Sequence, residues 1–138
     1  METRNLNVLL IEDDLIEVMK LKRSIDKLGL AHNVVEAKNG EDALKQLTSE
    51  VPLPDIILLD LNMPKISGLE FLKILKANPR LKYMPVIILT TSENRTDLQA
   101  CYEEGIAGYI LKPLKYEDYL SKIDRTLQYW SVNELIKG

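Results

Sequence analysis

The run Ile56-Ile57-Leu58-Leu59-Asp60 constrains this chain more than any other five residues. Four large aliphatic side chains without a polar interruption fit a strand buried on both faces, as in a parallel sheet covered by helices. Pro54 and Asp55 bound the run on one side, and Asn62, Met63 and Pro64 on the other. A charge is costly inside such a sheet, so Asp60 belongs where the strand ends and solvent begins. In open parallel α/β sheets ligands bind at that carboxyl edge, which makes Asp60 the first candidate for a reactive group.

The rest of the chain supplies partners for this strand. Residues 7–11 (Asn-Val-Leu-Leu-Ile) form a second strand-like run that ends in Glu12, Asp13 and Asp14. Leu15, Val18, Leu21, Ile25 and Leu28 then recur at spacings of three and four, which predicts a helix with one apolar face. Asp14 can cap it, with Glu17 at the capping-box position, and Gly29 ends it. Residues 32–37 read as a weaker strand nearer an edge. Asn39-Gly40 is a turn, and 41–48 a short helix with Ala43, Leu44 and Leu47 inward. Residues 49–55, with Pro52 and Pro54, form a loop into the central strand.

Beyond Asp60, residues 61–66 are a loop, and Ser67 with Glu70 is a second capping-box pair opening a helix over 68–77. Strand four, 86–89, runs into Thr90, Thr91 and Ser92. A helix over about 94–104 turns Leu98, Cys101 and Tyr102 inward and stops at Gly105. Strand five, 108–111, ends at Lys112-Pro113. The last helix, about 116–130, carries Leu120, Ile123 and Leu127 inward.

Strand and helix therefore alternate five times, which specifies a parallel sheet with helices on both faces. The expected fold class is α/β, a flavodoxin-like (βα)5 three-layer sandwich. The 138 residues suit one domain, with its core at about 6–130 and a short tail, 131–138, too short for a DNA-binding module. A net charge of −3 argues against nucleic acid or an anionic membrane as partner. The single cysteine excludes an internal disulfide framework. With no signal peptide and no membrane-length apolar run, the expectation is a cytoplasmic protein. No strand is followed by GxGxxG, which argues against dinucleotide binding.

The groups that follow the strands are more specific. Strand one offers Glu12 and Asp13, strand three Asp60, strand four Thr90 and strand five Lys112. In a sheet of order 2-1-3-4-5, one of the common doubly wound orders, all of them converge at one rim near the switch point between strands one and three. Three adjacent carboxylates repel one another, which a divalent cation relieves. Hard oxygen ligands with room for water suit Mg2+. A carboxylate with one oxygen free can act as a nucleophile toward phosphorus. A lysine ammonium offsets the incoming charge, and a threonine hydroxyl can bond a phosphoryl oxygen.

Four motifs in order carry a family resemblance: Ile11-Glu12-Asp13-Asp14, Leu59-Asp60-Leu61-Asn62-Met63-Pro64 with Gly68, Leu89-Thr90-Thr91, and Gly108-Tyr109-Ile110-Leu111-Lys112-Pro113. Along almost its whole length the chain resembles the receiver domain of two-component response regulators. The resemblance implies Asp60 as phospho-acceptor from a sensor histidine kinase or a small phosphodonor. It implies Asp13, Asp60 and the backbone carbonyl of Asn62 as direct Mg2+ ligands, with Glu12 acting through water. It further implies Thr90 and Tyr109 as a switch pair and a cis peptide between Lys112 and Pro113. Within receivers, the loop at 49–55, the segments around 62–64 and 90–92, and the tail with Tyr129-Trp130 resemble the small regulators that partner bacteriophytochromes. Receivers often pair through the fourth helix, fifth strand and fifth helix, so a homodimer of that kind is an expectation, beside a downstream protein the sequence does not name.

Competing readings are weaker. A flavodoxin-like cofactor site needs a phosphate-cradling loop after strand one, and Glu12-Asp13-Asp14 repels phosphate. An aspartyl phosphohydrolase usually carries an acid two residues past its nucleophile, where Asn62 stands. A phosphorylation-independent binding module would not need the acid pair, acceptor and lysine together. His32, the only histidine, reads as a structural or surface residue, and Cys101 as a small buried hydrophobe.

Overall fold

The computed structural model describes residues 4–49 and 52–136. The expected loop at 49–55 and the tail therefore lie partly outside the described residues, at 50–51 and 137–138. The elements are β1 (Asn7–Ile11), α1 (Leu15–Lys27), β2 (Asn33–Ala37), α2 (Gly40–Leu47), β3 (Ile56–Leu59), α3 (Gly68–Ala77), β4 (Val86–Thr90), α4 (Arg95–Glu103), β5 (Gly108–Leu111) and α5 (Tyr116–Ser131). The five strands form one parallel sheet of order β2-β1-β3-β4-β5. None of the helices among the described residues is long and apolar enough to cross a membrane.

The uninterrupted apolar strands are explained by two cores. Leu9, Ile11, Ile57, Leu59, Val86 and Ile88 point to one face, against Phe71, Leu72 and Leu75 of α3, with Ala43 and Leu47 of α2 and Cys101 of α4. Val8, Leu10, Ile56, Leu58, Ile87 and Leu89 point to the other, against Val18, Leu21 and Ile25 of α1 and Tyr119, Ile123 and Leu127 of α5. Because side chains alternate along a strand, both sets must be apolar only where helices cover both faces. β2, which pairs only with β1, is exposed along most of its length, as an edge strand should be.

Two helix starts follow the caps read from sequence, at Asp14 and Ser67, and Asn39 and Asn94 cap two more. Each of the four accepts a backbone N–H of the first turn. Gly105 closes α4 with φ +90°, a conformation that favours glycine. Three expectations need correction. Leu15 lies on the α1 stripe but is 69% exposed, and the buried part of the stripe begins at Val18. Tyr102 is 52% exposed, and Cys101 is the residue of α4 that is buried in the core. On α5 the deeply buried residue is Tyr119, not its neighbour Leu120.

His32 is structural. Its Nδ1 accepts the Leu6 N–H at 2.9 Å, and burial lowers its pKa, which keeps that nitrogen an acceptor. Cys101 is buried, and burial together with the nearby Asp97 pushes its thiol pKa up to about 11, which leaves it a packing residue.

Candidate functional site

The rim at the carboxyl ends of β1, β3, β4 and β5 gathers the groups singled out from the sequence. Glu12, Asp13 and Asp60 each bring a carboxylate oxygen within 4.8 Å of the others. Glu12 and Asp60 are buried and Asp13 is exposed, so the cluster opens to solvent on the Asp13 side. Register explains the meeting. Ile11 pairs with Leu59, and the Asp60 N–H continues the ladder to the Ile11 carbonyl at 3.1 Å.

Burial raises the pKa of Asp60. The Lys112 charge, the Thr90 hydroxyl and the Asn62 N–H oppose that rise, and Asp13 adds to it. Glu12 is likewise raised by burial, against hydrogen bonding and charge from Lys112, with Asp60 contributing to the rise. Burial is the main cause at both Glu12 and Asp60, and Lys112 offsets only part of it. Three hard carboxylate oxygens open to water on one side form a donor set that fits a divalent cation such as Mg2+. A bound dication would favour the ionised form of Glu12 and Asp60.

Lys112 enters from the end of β5. Its N–H donates to the Thr90 carbonyl at 2.8 Å, which extends the β4–β5 ladder by one residue and aims the side chain across the rim. Nζ lies 2.8 Å from Glu12 Oε1 and 3.0 Å from Glu17 Oε1. Burial alone would lower its pKa, but the hydrogen bonds and charges of Glu12 and Glu17 outweigh burial and raise it. The expected cis peptide between Lys112 and Pro113 is not present, as no peptide bond among the described residues is cis. The trans form of an X–Pro bond is the one ordinarily favoured, and the ladder bond to Thr90 already directs the lysine inward.

Glu17 was missed by sequence reasoning, which placed it in a capping box. The Asp14 N–H goes instead to Glu12 Oε2 at 3.2 Å, and Glu17 reaches Lys112. Its position one turn into α1, on the side facing the rim, was the available signal.

Thr90 is fully buried, bonds Asp60 through its hydroxyl, and accepts the Ser92 N–H at 3.3 Å. Tyr109 is half-buried against the α3–α4 core, and its hydroxyl donates to the Ser92 carbonyl at 2.9 Å. Ser92 thus touches both expected switch residues, while its own hydroxyl donates to Asp97 of α4 at 2.9 Å. Asn62 is exposed beside Asp60. Gly68, the first residue of α3, lies where a Cβ would come within 2.7 Å of the Asp60 carbonyl oxygen and the Leu61 Cα, so the helix abuts the end of β3 directly.

Residues 8–124 match the response regulator receiver domain family. This chain belongs to that family. FilR2 of Methanothrix harundinacea (strain 6Ac), a probable methanogenesis regulatory protein, is 34% identical to the receiver over 127 residues, covering 89% of this chain and 82% of FilR2. Response regulator Rcp1 of Synechocystis sp. is 32% identical over 128 residues, covering 89% and 87%. Among solved structures, the phosphorylated cyanobacterial phytochrome response regulator RcpA superposes on the receiver with TM-score 0.87, at 29% identity over 96% of this chain and 99% of that one. The Mn2+-bound form of Rcp1 superposes with TM-score 0.84, at 30% identity over 96% and 99%. The receiver is therefore homologous to response regulators of two-component signalling, a family of signalling modules.

Proposed function

We propose that this receiver is a phosphorylation-driven switch in which Asp60 accepts a phosphoryl group from the phosphohistidine of a sensor kinase. The observation that carries this reading is the meeting of Glu12, Asp13 and Asp60 within 4.8 Å, with the Lys112 ammonium 2.8 Å from Glu12. An Asp60 oxygen forms the bond to phosphorus as the donor's P–N bond breaks, and the imidazole leaves as the neutral base after taking up a proton. Glu12, Asp13, Asp60 and the Asn62 carbonyl would hold Mg2+, which when bound offsets charge on the transferring group. Lys112 offers its ammonium to the phosphoryl oxygens, and the Thr90 hydroxyl turns from the Asp60 carboxylate to the phosphoryl group.

The switch follows from contacts already described. Thr90 and Tyr109 meet at Ser92, one holding its N–H and the other its carbonyl. A shift of Thr90 toward a phosphoryl oxygen moves that residue and with it the Tyr109 hydroxyl. The output surface is α4, β5 and α5, where Tyr102 and Tyr129 are exposed and where a homodimer or a downstream protein would dock. Gel filtration with and without beryllofluoride tests the dimer. A full swing from 1:99 to 99:1 requires about 5.5 kcal/mol of preference for the active state, within reach of a few charge-assisted hydrogen bonds.

A kinase of the bacteriophytochrome class is the proposed donor, supported by the likeness to a phytochrome response regulator. The test of the acceptor is labelling by acetyl phosphate in Mg2+. The wild-type chain is expected to label and Asp60→Asn not to. Undiminished labelling of Asp60→Asn would refute the assignment.

A further inference from the structure

Lys112 is held by a residue outside the acceptor cluster. Its ammonium carries three donors, and two of them meet Glu12 Oε1 and Glu17 Oε1. Among the described residues these are its carboxylate partners within 4 Å, while Asp60 feels it through charge. The Lys112 side chain is only 8% exposed, so water screens the Glu17 contact weakly. Glu17 stands in the first turn of α1, and its second oxygen lies 3.9 Å from Lys20 Nζ. Lys20 in turn lies over the Tyr119 ring, 4.2 Å from its centre. If the Lys112 ammonium swings toward Asp60, Glu17 therefore keeps a cationic neighbour.

We propose that Glu17 is a positioning residue that competes with the phosphoryl group for the Lys112 ammonium, and so sets how readily this receiver accepts and keeps the phosphoryl group. The proposal rests on the acceptor role of Asp60. A phosphoryl group brings close to two negative charges to Asp60, and the lysine that must meet them is drawn toward α1 in the resting molecule. Removing the Glu17 charge leaves Lys112 with Glu12 alone and frees one N–H to reach the new oxygens.

The experiment is calorimetric titration of the full chain with beryllofluoride in Mg2+, together with rates of acetyl phosphate labelling. Glu17→Gln is expected to tighten binding and speed labelling by about two- to fivefold, the scale of a partly screened ion pair. Glu17→Asp keeps the charge but withdraws it from the ammonium by one methylene. It should move in the same direction, since the effect comes from contact. Glu17→Gln binding no more tightly than wild type, or Glu17→Asp matching wild type while Glu17→Gln gains, would overturn the proposal. Melts without Mg2+ give a second readout. Glu17→Gln should lower Tm in the wild-type background and leave it unchanged in Lys112→Met, whereas equal falls in both would mean that Glu17 acts through something other than the lysine. A wild-type chain that neither binds beryllofluoride nor labels would defeat the acceptor reading itself, a result separate from any change at Glu17.

Discussion

β3 carries an aspartate at each end, and the two face opposite circumstances. Asp55, just before the strand, is 5% exposed, and its Oδ2 accepts the Asn7 N–H at 2.7 Å, which ties the start of β1 to the start of β3. Asp60, just after the strand, is 9% exposed and is surrounded by Asp13, Glu12 and Lys112. Burial is nearly equal, so burial alone does not mark a reactive carboxylate. The difference lies in the company each keeps. Asp55 bonds a neighbouring strand's backbone, while Asp60 shares a rim open to solvent with two other carboxylates and an ammonium. One end of the strand ties two strands together, and the other joins a donor set that fits a divalent cation.

The sharpest way to break this contrast is chemical labelling. Asp60→Asn should reduce acetyl phosphate labelling to background, while Asp55→Ala should label at the wild-type level in the folded fraction. Next in size is the response to metal. Mg2+ at a hundred times its Kd should add about 2.7 kcal/mol of stability to wild type and to Asp55→Ala, measured by urea unfolding, and much less to Asp60→Asn. Without metal, Asp55→Ala should lose about 2 kcal/mol, because the part-buried bond from the Asn7 N–H to a charged acceptor is lost.

The pH dependence probes the Asp60 end more finely. The folded pKa values of Asp60 and Glu12 lie above their ordinary values of 3.8 and 4.5. Their contribution is thus fully present below about pH 4 and is lost as pH rises through the folded values. Asp60→Asn escapes its share of that loss. In metal-free melts its Tm should exceed that of wild type by a margin that widens above pH 4. The smallest effect belongs to His32, whose pKa is lowered from 6.5. Stability from its bond to the Leu6 N–H is present above pH 6.5 and is lost as pH falls through the folded value, a component that His32→Asn should lack.

The five strands and the groups that follow them were legible because each signal is local, whereas their order came from the common doubly wound pattern. Apolar runs, caps and the residue directly after each strand need no knowledge of distant packing. What escaped depended on geometry above the rim. Leu15 keeps the helical period yet is exposed, and the buried part of the stripe begins at Val18. Glu17 follows the capping-box spacing, but the ammonium of Lys112, 95 positions away in sequence, is a stronger partner than a backbone N–H that Glu12 already satisfies. Tyr119 displaces Leu120 because its ring extends beneath Lys20 toward α1, which only the docking of α5 reveals.

Gly68 has no functional group, yet α3 begins so close to the Asp60 carbonyl that even a methyl group would collide with main chain. In a screen of random variants scored for signalling, that position should tolerate replacement about as poorly as Asp60. A map of essential sites drawn from such data would count an absence of atoms among the working parts. Anyone transplanting this rim onto another scaffold must therefore transplant the empty space along with the acids.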